Sequence, residues 1–257
     1  MVENLTAGYE EWNILENVSF EVYPGEIFII LGGSGCGKST LLKQMIGLQK
    51  PKSGRILIDG DDIVDADDEQ RLRILRKIGV MYQRGALFGS MTLLENIRLA
   101  LEEFTDLPPP AMDLASRIKL KLVGLNGYEH FMPSELSGGM QKRAAIARAM
   151  ALDPEILFMD ELSAGLDPVT SVELDHLVLN LARTLNITFI IVTHELPSIY
   201  LIADRVIMLE KTARGIIASG TPGDLRDRSE NPYVRQFFRR EPPPGSIFEK
   251  SKSMRPL

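Results

Sequence analysis

The sequence predicts an α/β fold in which a mainly parallel sheet is buried on both faces, a small antiparallel β region lies near the N-terminus, and a helical subdomain is inserted between strands. Three observations carry this. Continuous apolar runs of strand length, Ile27 to Leu31, Ile156 to Met159 and Ile187 to Val192, suit central parallel strands covered on both sides. Asn17-Val18-Ser19-Phe20-Glu21-Val22 instead alternates with period two, as a half-buried antiparallel strand does. Between about residue 84 and residue 136 the strand runs stop and helical spacing takes over. At 257 residues and 44% hydrophobic, the chain can build one large core plus an appended subdomain.

Taken in order, each element has its own signal. The run ending at Leu31 is followed by a glycine-rich loop and then by Leu41, Leu42, Met45 and Ile46 at helical spacing. Thr92-Leu-Leu-Glu95 is a capping box that opens a helix, and Pro108-Pro109-Pro110 separates it from a second helical pattern after Met112. Ser137 caps a helix that places Met140, Ala144, Ala147 and Ala151 on one face. Asp167 caps the next, with Pro168 in its first turn and Leu174, Leu177, Val178 and Leu181 on its inner face. The tail from Glu241, EPPPG, reads as an extended linker or end.

Composition narrows the function. A net charge of −6 argues against a protein that grips nucleic-acid phosphates over its whole surface, and no nucleic-acid partner is expected. No stretch approaches the ~18 apolar residues of a membrane span, and MVENLTAGYE is not a secretion signal. The single cysteine excludes an internal disulfide and fits a reducing compartment.

Gly32, Gly37, Lys38 and Ser39 match G-x-x-x-x-G-K-[ST] between a strand and a helix, the setting a phosphate loop requires. Backbone N–H groups of Gly32, Gly33, Ser34, Gly35, Cys36, Gly37 and Thr40 can converge on phosphate, Lys38 on β and γ oxygens, and Ser39 on Mg2+. Nucleotide binding follows. Asp160 and Glu161 end an apolar strand at the edge where such sheets bind ligands, Asp160 to hold Mg2+ and Glu161 to polarise water. Leu136-Ser137-Gly138-Gly139 forms a second anion site at a helix start, and since the chain already has its phosphate loop, this one meets the γ-phosphate held by a second copy. Singly, acids after a strand are often caps, Ser-Gly-Gly is often a loop, and a lone histidine such as His194 is often structural. Their company beside a phosphate loop gives them the functional reading.

The order of phosphate loop, Gln83, LSGG, apolar-Asp-Glu and His194 resembles the ATPase subunit of ATP-binding cassette transporters over essentially residues 1 to 225. The resemblance implies a P-loop NTPase (RecA-like) core, with an ATPase domain over 1–230, a core over 1–83 and 137–230, a helical subdomain over 84–136 and a tail over 231–257. It implies that Tyr9 stacks on adenine, that Gln83 contacts Mg2+ and water and begins the stretch touching the membrane subunit, that Ser163 to Asp167 cross between two subunits, and that His194 senses the γ-phosphate. QRGALFGSMTLLENI, LSGGMQKRAAIARAMAL and VTHELPSIYLIADRVIML resemble the ATPase of the Mla and Mce type, which moves phospholipids or other hydrophobic molecules. That implies ATP and Mg2+, an ATP-dependent head-to-tail dimer, a membrane permease, an MCE-domain protein, in some systems a small regulatory subunit, and a place on the cytoplasmic face of the inner membrane.

Two departures stand out. Leu162 replaces the usual proline after Asp-Glu, which removes a rigid turn; both carboxylates remain, so activity is expected, with the effect on its rate left open. Lys142-Arg143 replaces the usual pairing after the signature, with no consequence legible in sequence. The acidic window Asp59 to Glu69 lacks the glycine and terminal glutamate of a calcium loop and reads as a solvated turn. Alkylation of Cys36 is expected to block ATP, and Arg235 to Arg240 reads first as a partner contact, then as an ordinary surface helix. Rival functions are an importer ATPase for another solute, a soluble ATPase of this class in nucleic-acid maintenance or translation, and a module that binds ATP without turning it over.

Overall fold

The computed structural model describes residues 1–9, 11–83 and 85–241. In chain order the first half holds β1 (Val2–Tyr9), β2 (Trp12–Phe20), β3 (Ile27–Gly32), α1 (Lys38–Met45), β4 (Ser53–Ile58), β5 (Asp61–Asp62), α2 (Asp68–Arg76) and β6 (Ile78–Met81). Next come α3 (Leu93–Phe104), α4 (Pro109–Leu122), a 3-10 turn at Pro133–Glu135, α5 (Gly138–Ala149), β7 (Ile156–Asp160), α6 (Pro168–Leu185) and β8 (Thr188–Val192). The chain continues through α7 (Leu196–Ile202), β9 (Arg205–Glu210), β10 (Gly215–Gly220), α8 (Pro222–Asp227) and α9 (Pro232–Arg239).

The larger sheet has the order β10-β9-β3-β8-β7-β6 and is parallel except at β10. Its central strands β3 and β8 are buried at every residue, as the apolar runs require. Alternate residues of β3 feed opposite cores. Ile27, Ile29 and Leu31 face one cluster with the helices α3, α5, α6 and α7, whereas Phe28 and Ile30 face a second cluster under the antiparallel sheet and α1. That smaller sheet has the order β2-β1-β4-β5. The alternation predicted through Val22 ends at Phe20, and Asn17 at φ 53° marks a bulge where the β1–β2 register shifts.

The helical region differs from expectation in three details. Pro109 and Pro110 begin α4 instead of only separating two helices, because first-turn N–H groups need no helical acceptor. Ala151 falls beyond the end of α5, so the predicted face reduces to Met140, Ala144 and Ala147. The α5 helix packs against α3, α4 and α6 alike, so the helical layer is continuous with the core across the boundary expected at residue 136. Both ends of α5 sit against places with no room for a side chain. A Cβ on Gly139 would lie 2.5 Å from Thr170 Cγ2, and one on Gly79 would fall on the Ala149 carbonyl oxygen.

The ordered body extends past the boundary expected at residue 230. Val234 and Phe238 of α9 are buried in the main core, and the Tyr200 hydroxyl donates to the Phe238 carbonyl at 2.8 Å. The apolar half of the Arg235–Arg240 segment is therefore core and not a free contact surface. The EPPPG tail lies, after Glu241, outside the described residues. The acidic window is a turn, a short strand and a helix start, with Asp59 paired to Lys77, Asp65 to Lys50 at 3.0 Å, and Asp67 capping α2. No cluster able to hold a metal ion occurs there among the described residues.

Candidate nucleotide site

Four neighbouring strands, β3, β8, β7 and β6, end at the same edge, and each delivers one part of the predicted site. The loop from Gly32 to Gly37 follows β3, with Gly33, Ser34 and Gly35 exposed at its tip. Gly37 sits at φ 105°, and a Cβ there would come within 2.9 Å of the Ile14 and Leu15 side chains, so only glycine lets the chain turn into α1 under β2. The α1 helix has no side-chain cap and no acid in its first turn. Its leading N–H groups are thus unoccupied by any side chain of the protein and suit an anion. Lys38 folds back over the loop, its Nζ donating to the carbonyls of Gly32 at 2.9 Å and Gly33 at 3.0 Å. Ser39 is exposed and Thr40 half-buried beside it.

Asp160 ends β7, and Glu161 follows at φ 52° with its N–H donating to the Val192 carbonyl of β8 at 2.8 Å. This left-handed step turns the Glu161 side chain toward the loop after β8. There His194 Nδ1 and Glu161 Oε1 share a hydrogen bond of 2.8 Å, which the Nδ1–H tautomer donates to an ionised carboxylate. The histidine side chain is 65% exposed and the glutamate only 15%, so the imidazole covers the carboxylate from the solvent side. Burial, and then the adjacent Glu161, push the Asp160 carboxyl above its usual range, while Lys38, Lys43 and Lys142 oppose them. A half-buried pair of carboxylates in this state is a fit for a divalent cation. Gln83 is exposed just after β6.

The signature lies elsewhere. Ser137 caps α5, accepting from the Met140 N–H at 3.3 Å, and the neighbours of Gly138 and Gly139 are Leu166 and Thr170. Ser137 and Gly138 are exposed, and Gly139 is buried against Thr170. Asp167 accepts from the N–H groups of Val169 at 3.0 Å and Thr170 at 3.1 Å, and from the Thr170 hydroxyl. Those bonds hold its carboxyl below the usual range, so within one chain Asp167 is a helix cap and not a ligand group. Tyr9 is exposed at the end of β1, paired with Trp12 two residues before Ile14, which packs on Gly37.

Residues 15–164 match the ABC transporter family. The chain belongs to that family. It is 40% identical over 254 residues to the "Probable ribonucleotide transport ATP-binding protein mkl" of Mycobacterium leprae, covering 98% of this chain and 72% of that protein. It is 39% identical over 225 residues to the "Intermembrane phospholipid transport system ATP-binding protein MlaF" of Escherichia coli K12, covering 88% of this chain and 82% of that one. Among solved structures it resembles a dimeric ATP-binding cassette, MJ0796, bound to ADP and Pi in a post-hydrolysis state, with 31% identity, a TM-score of 0.76, and coverage of 86% and 97%. It also resembles cbiO1 of Clostridium perfringens, part of the ABC transporter complex cbiONQ, with 31% identity, a TM-score of 0.81, and coverage of 89% and 90%. This chain is the ATPase subunit of an ABC transporter.

Two expectations for this cassette change. Cys36 is 1% exposed, its Sγ is packed where a side chain on Gly32 would go, and burial pushes its thiol up. An alkylating reagent must first open the loop, so Cys36 contributes backbone and not a reactive handle at the ligand. Leu162 is buried in the main core, and the turn it enters is closed by Ala164 N–H to the Glu161 carbonyl at 3.2 Å. Burial and that bond hold the turn without proline, so the loss of a rigid turn expected from Leu162 is made good by packing.

Two residues escaped the sequence reading, and a third, Lys142, carried no role in it. Buried Asn96 knits the loop after Gln83, accepting from the Phe88 N–H at 2.7 Å and donating to the Phe88, Met91 and Thr92 carbonyls. The Tyr233 hydroxyl of α9 lies 3.8 Å from the place of a Cβ on Gly33, at the rim of the phosphate loop. Lys142 of α5 donates to the backbone carbonyl of Gln83 and reaches that of Glu161 at 3.4 Å. The capping-box spacing before Asn96 and the unusual Lys142-Arg143 pair were the signals available; nothing in the sequence pointed to Tyr233.

Proposed function

We propose that this chain drives phospholipid, or another hydrophobic molecule, through a membrane permease, two copies closing head to tail around two ATP and opening after hydrolysis. The N–H groups that start α1, together with Lys38, bind the phosphates. Glu161 takes a proton from the attacking water, and His194 holds and covers it. The contact of 2.8 Å between His194 Nδ1 and Glu161 Oε1 is the observation that carries the hydrolytic reading. Mg2+, when bound, supplies neutralising charge at the phosphate oxygens, and Ser39, Gln83 and Asp160 would hold it. Tyr9 stacks on adenine. Ser137, Gly138, Gly139 and Asp167 of the second copy close the site, a role favoured by the position of the signature on elements other than the phosphate loop.

A groove of about 270 Å3 lined by Leu75, Val80, Tyr82, Ala100, Phe104 and Arg148 lies between α2, β6 and α3, beside Gln83. It supports docking of an apolar permease segment there, so that the permease touches the same loop that meets the nucleotide. No helix among the described residues is long and apolar enough to cross a membrane, consistent with a peripheral subunit on the cytoplasmic face. An MCE-domain protein and a small regulatory subunit complete the complex in this reading.

The names of the relatives point to two cargoes, phospholipid and ribonucleotide. Purifying Glu161→Gln protein from native membranes with Mg-ATP, and identifying copurifying proteins and lipids by mass spectrometry, separates them. A permease with an MCE-domain protein and bound phospholipid is expected. A permease with a solute-binding protein, no lipid and nucleotide-dependent transport would favour the other cargo.

A further inference from the structure

Lys142 leaves the second turn of α5 and is 7% exposed. Its ammonium donates to the carbonyl of Gln83, 59 residues away in sequence, and lies 3.4 Å from that of Glu161, 19 residues away. Neither hydrogen-bond partner is a carboxylate side chain, although the charges of Glu161 and Asp160 nearby also favour the ammonium. Taking an ammonium out of water costs several kcal/mol unless hydrogen bonds replace its hydration. A methionine of similar length would fill the same space without that loss, so packing alone does not account for the charge. The two carbonyls give the ammonium its hydrogen bonds, and the nearby carboxylates favour its charge. Both carbonyls belong to the loops after β6 and β7, the loops that carry Gln83 and Glu161, while Lys142 itself belongs to the helix that starts at the signature serine.

We propose that Lys142 is a positioning residue of the hydrolytic site, holding the Gln83 and Glu161 loops in one register and tying both to the signature helix. The inference rests on the reading of Gln83 and Glu161 as parts of that site. Lys142 touches neither substrate nor reacting atoms in this role. It acts through the backbone of the two residues that do. Movement of α5 when a second copy engages the signature then reaches both loops through one ammonium, and the loops cannot shift independently of each other.

The test is steady-state ATPase kinetics of the purified full chain as the parent, Lys142→Met, Lys142→Gln and Glu161→Gln, with binding of a fluorescent ATP analogue and thermal melting measured on each. Lys142→Met should bind the analogue within about threefold of the parent and melt within a few degrees of it, yet lose at least ~10-fold in kcat with KM unchanged. Lys142→Gln, whose amide can donate to both carbonyls, should recover much of that loss. Parent-like kcat in Lys142→Met, a fall only in proportion to the folded fraction, failure of that variant to fold, or a folded Lys142→Gln that recovers nothing would each overturn the positioning role. Parent-like turnover in Glu161→Gln would overturn the underlying site reading and the inference with it. An inactive Glu161→Gln beside a parent-like Lys142→Met would overturn the inference alone.

Discussion

The helices α1 and α6 follow two of the loops read as functional, the phosphate loop and the turn after Glu161, and they treat their first N–H groups in opposite ways. At α6 the carboxylate of Asp167 accepts from two backbone N–H groups and a hydroxyl, closing the end. At α1 the corresponding place is held by Gly37, with no side chain to offer and no acid in the first turn. Helix ends are normally satisfied from within the chain. One left open next to a lysine suits a ligand, and one closed by aspartate is already satisfied within its own chain. The physical chemistry of the two ends is the same, and only the occupant differs.

The comparison breaks most sharply if α1 is given the cap that α6 has. Gly37→Asp puts a carboxylate where phosphate must sit and forces a Cβ against Ile14 and Leu15. Its affinity for ATP should fall by at least ~100-fold, measured by equilibrium binding of a fluorescent analogue. Glu161→Gln leaves α1 open and removes only the proposed base. Its kcat should fall by ~10²–10⁴ while binding persists, which single-turnover and binding measurements separate.

Within α6 the contrast recurs between two aspartates. Asp167 at the exposed end is held below the usual carboxylate range, whereas buried Asp175, two turns on, is pushed up to about 6 by burial despite the Ser198 hydroxyl beside it. An acid whose folded pKa is raised keeps its proton in the folded state while the unfolded chain releases it. Stability from Asp175 therefore falls as pH rises from about 4 to about 6 and stays low above that. Asp175→Asn should raise Tm by ~5 °C at pH 8, with the gain gone below about pH 4. Asp167→Ala should lower Tm by ~3 °C at pH 7, and since the Asp167 pKa is depressed, this difference should shrink as pH falls through its titration. Both are read by calorimetric melts across pH.

Legibility in sequence followed the range of the interaction. The phosphate loop, the Thr92 capping box and the Asp167-Pro168 start of α6 are local, their partners within a few residues, and spacing alone located them. The buried runs located β3, β7 and β8 because both-face burial leaves no polar positions. The edge strand β10, half-buried and antiparallel, left no such run. The inward turn of Cys36, the reach of Tyr233 to the phosphate loop and the partners of Lys142 depend on contacts between distant segments. No spacing encodes those. The nearby glutamate and histidine were both legible, but their contact was not, since it needs the left-handed step at Glu161 to bring two loop ends together.

The absence of side chains at Gly139 and Gly79 makes α5 a strut wedged at both ends, one against Thr170 and the other against the strand that leads to Gln83. Twelve residues of helix span about 18 Å, and a rod that short, gripped at its tips, tilts rather than bends. On the proposed head-to-tail arrangement, the near tip feels the nucleotide bound to the other copy, Lys142 one turn on reaches the Gln83 loop, and the far tip rests on the start of β6. Each cassette then gauges the opposite nucleotide with a lever it already uses to build its core. The pair is wired as a ring, in which neither site can fire without displacing the gauge of the other.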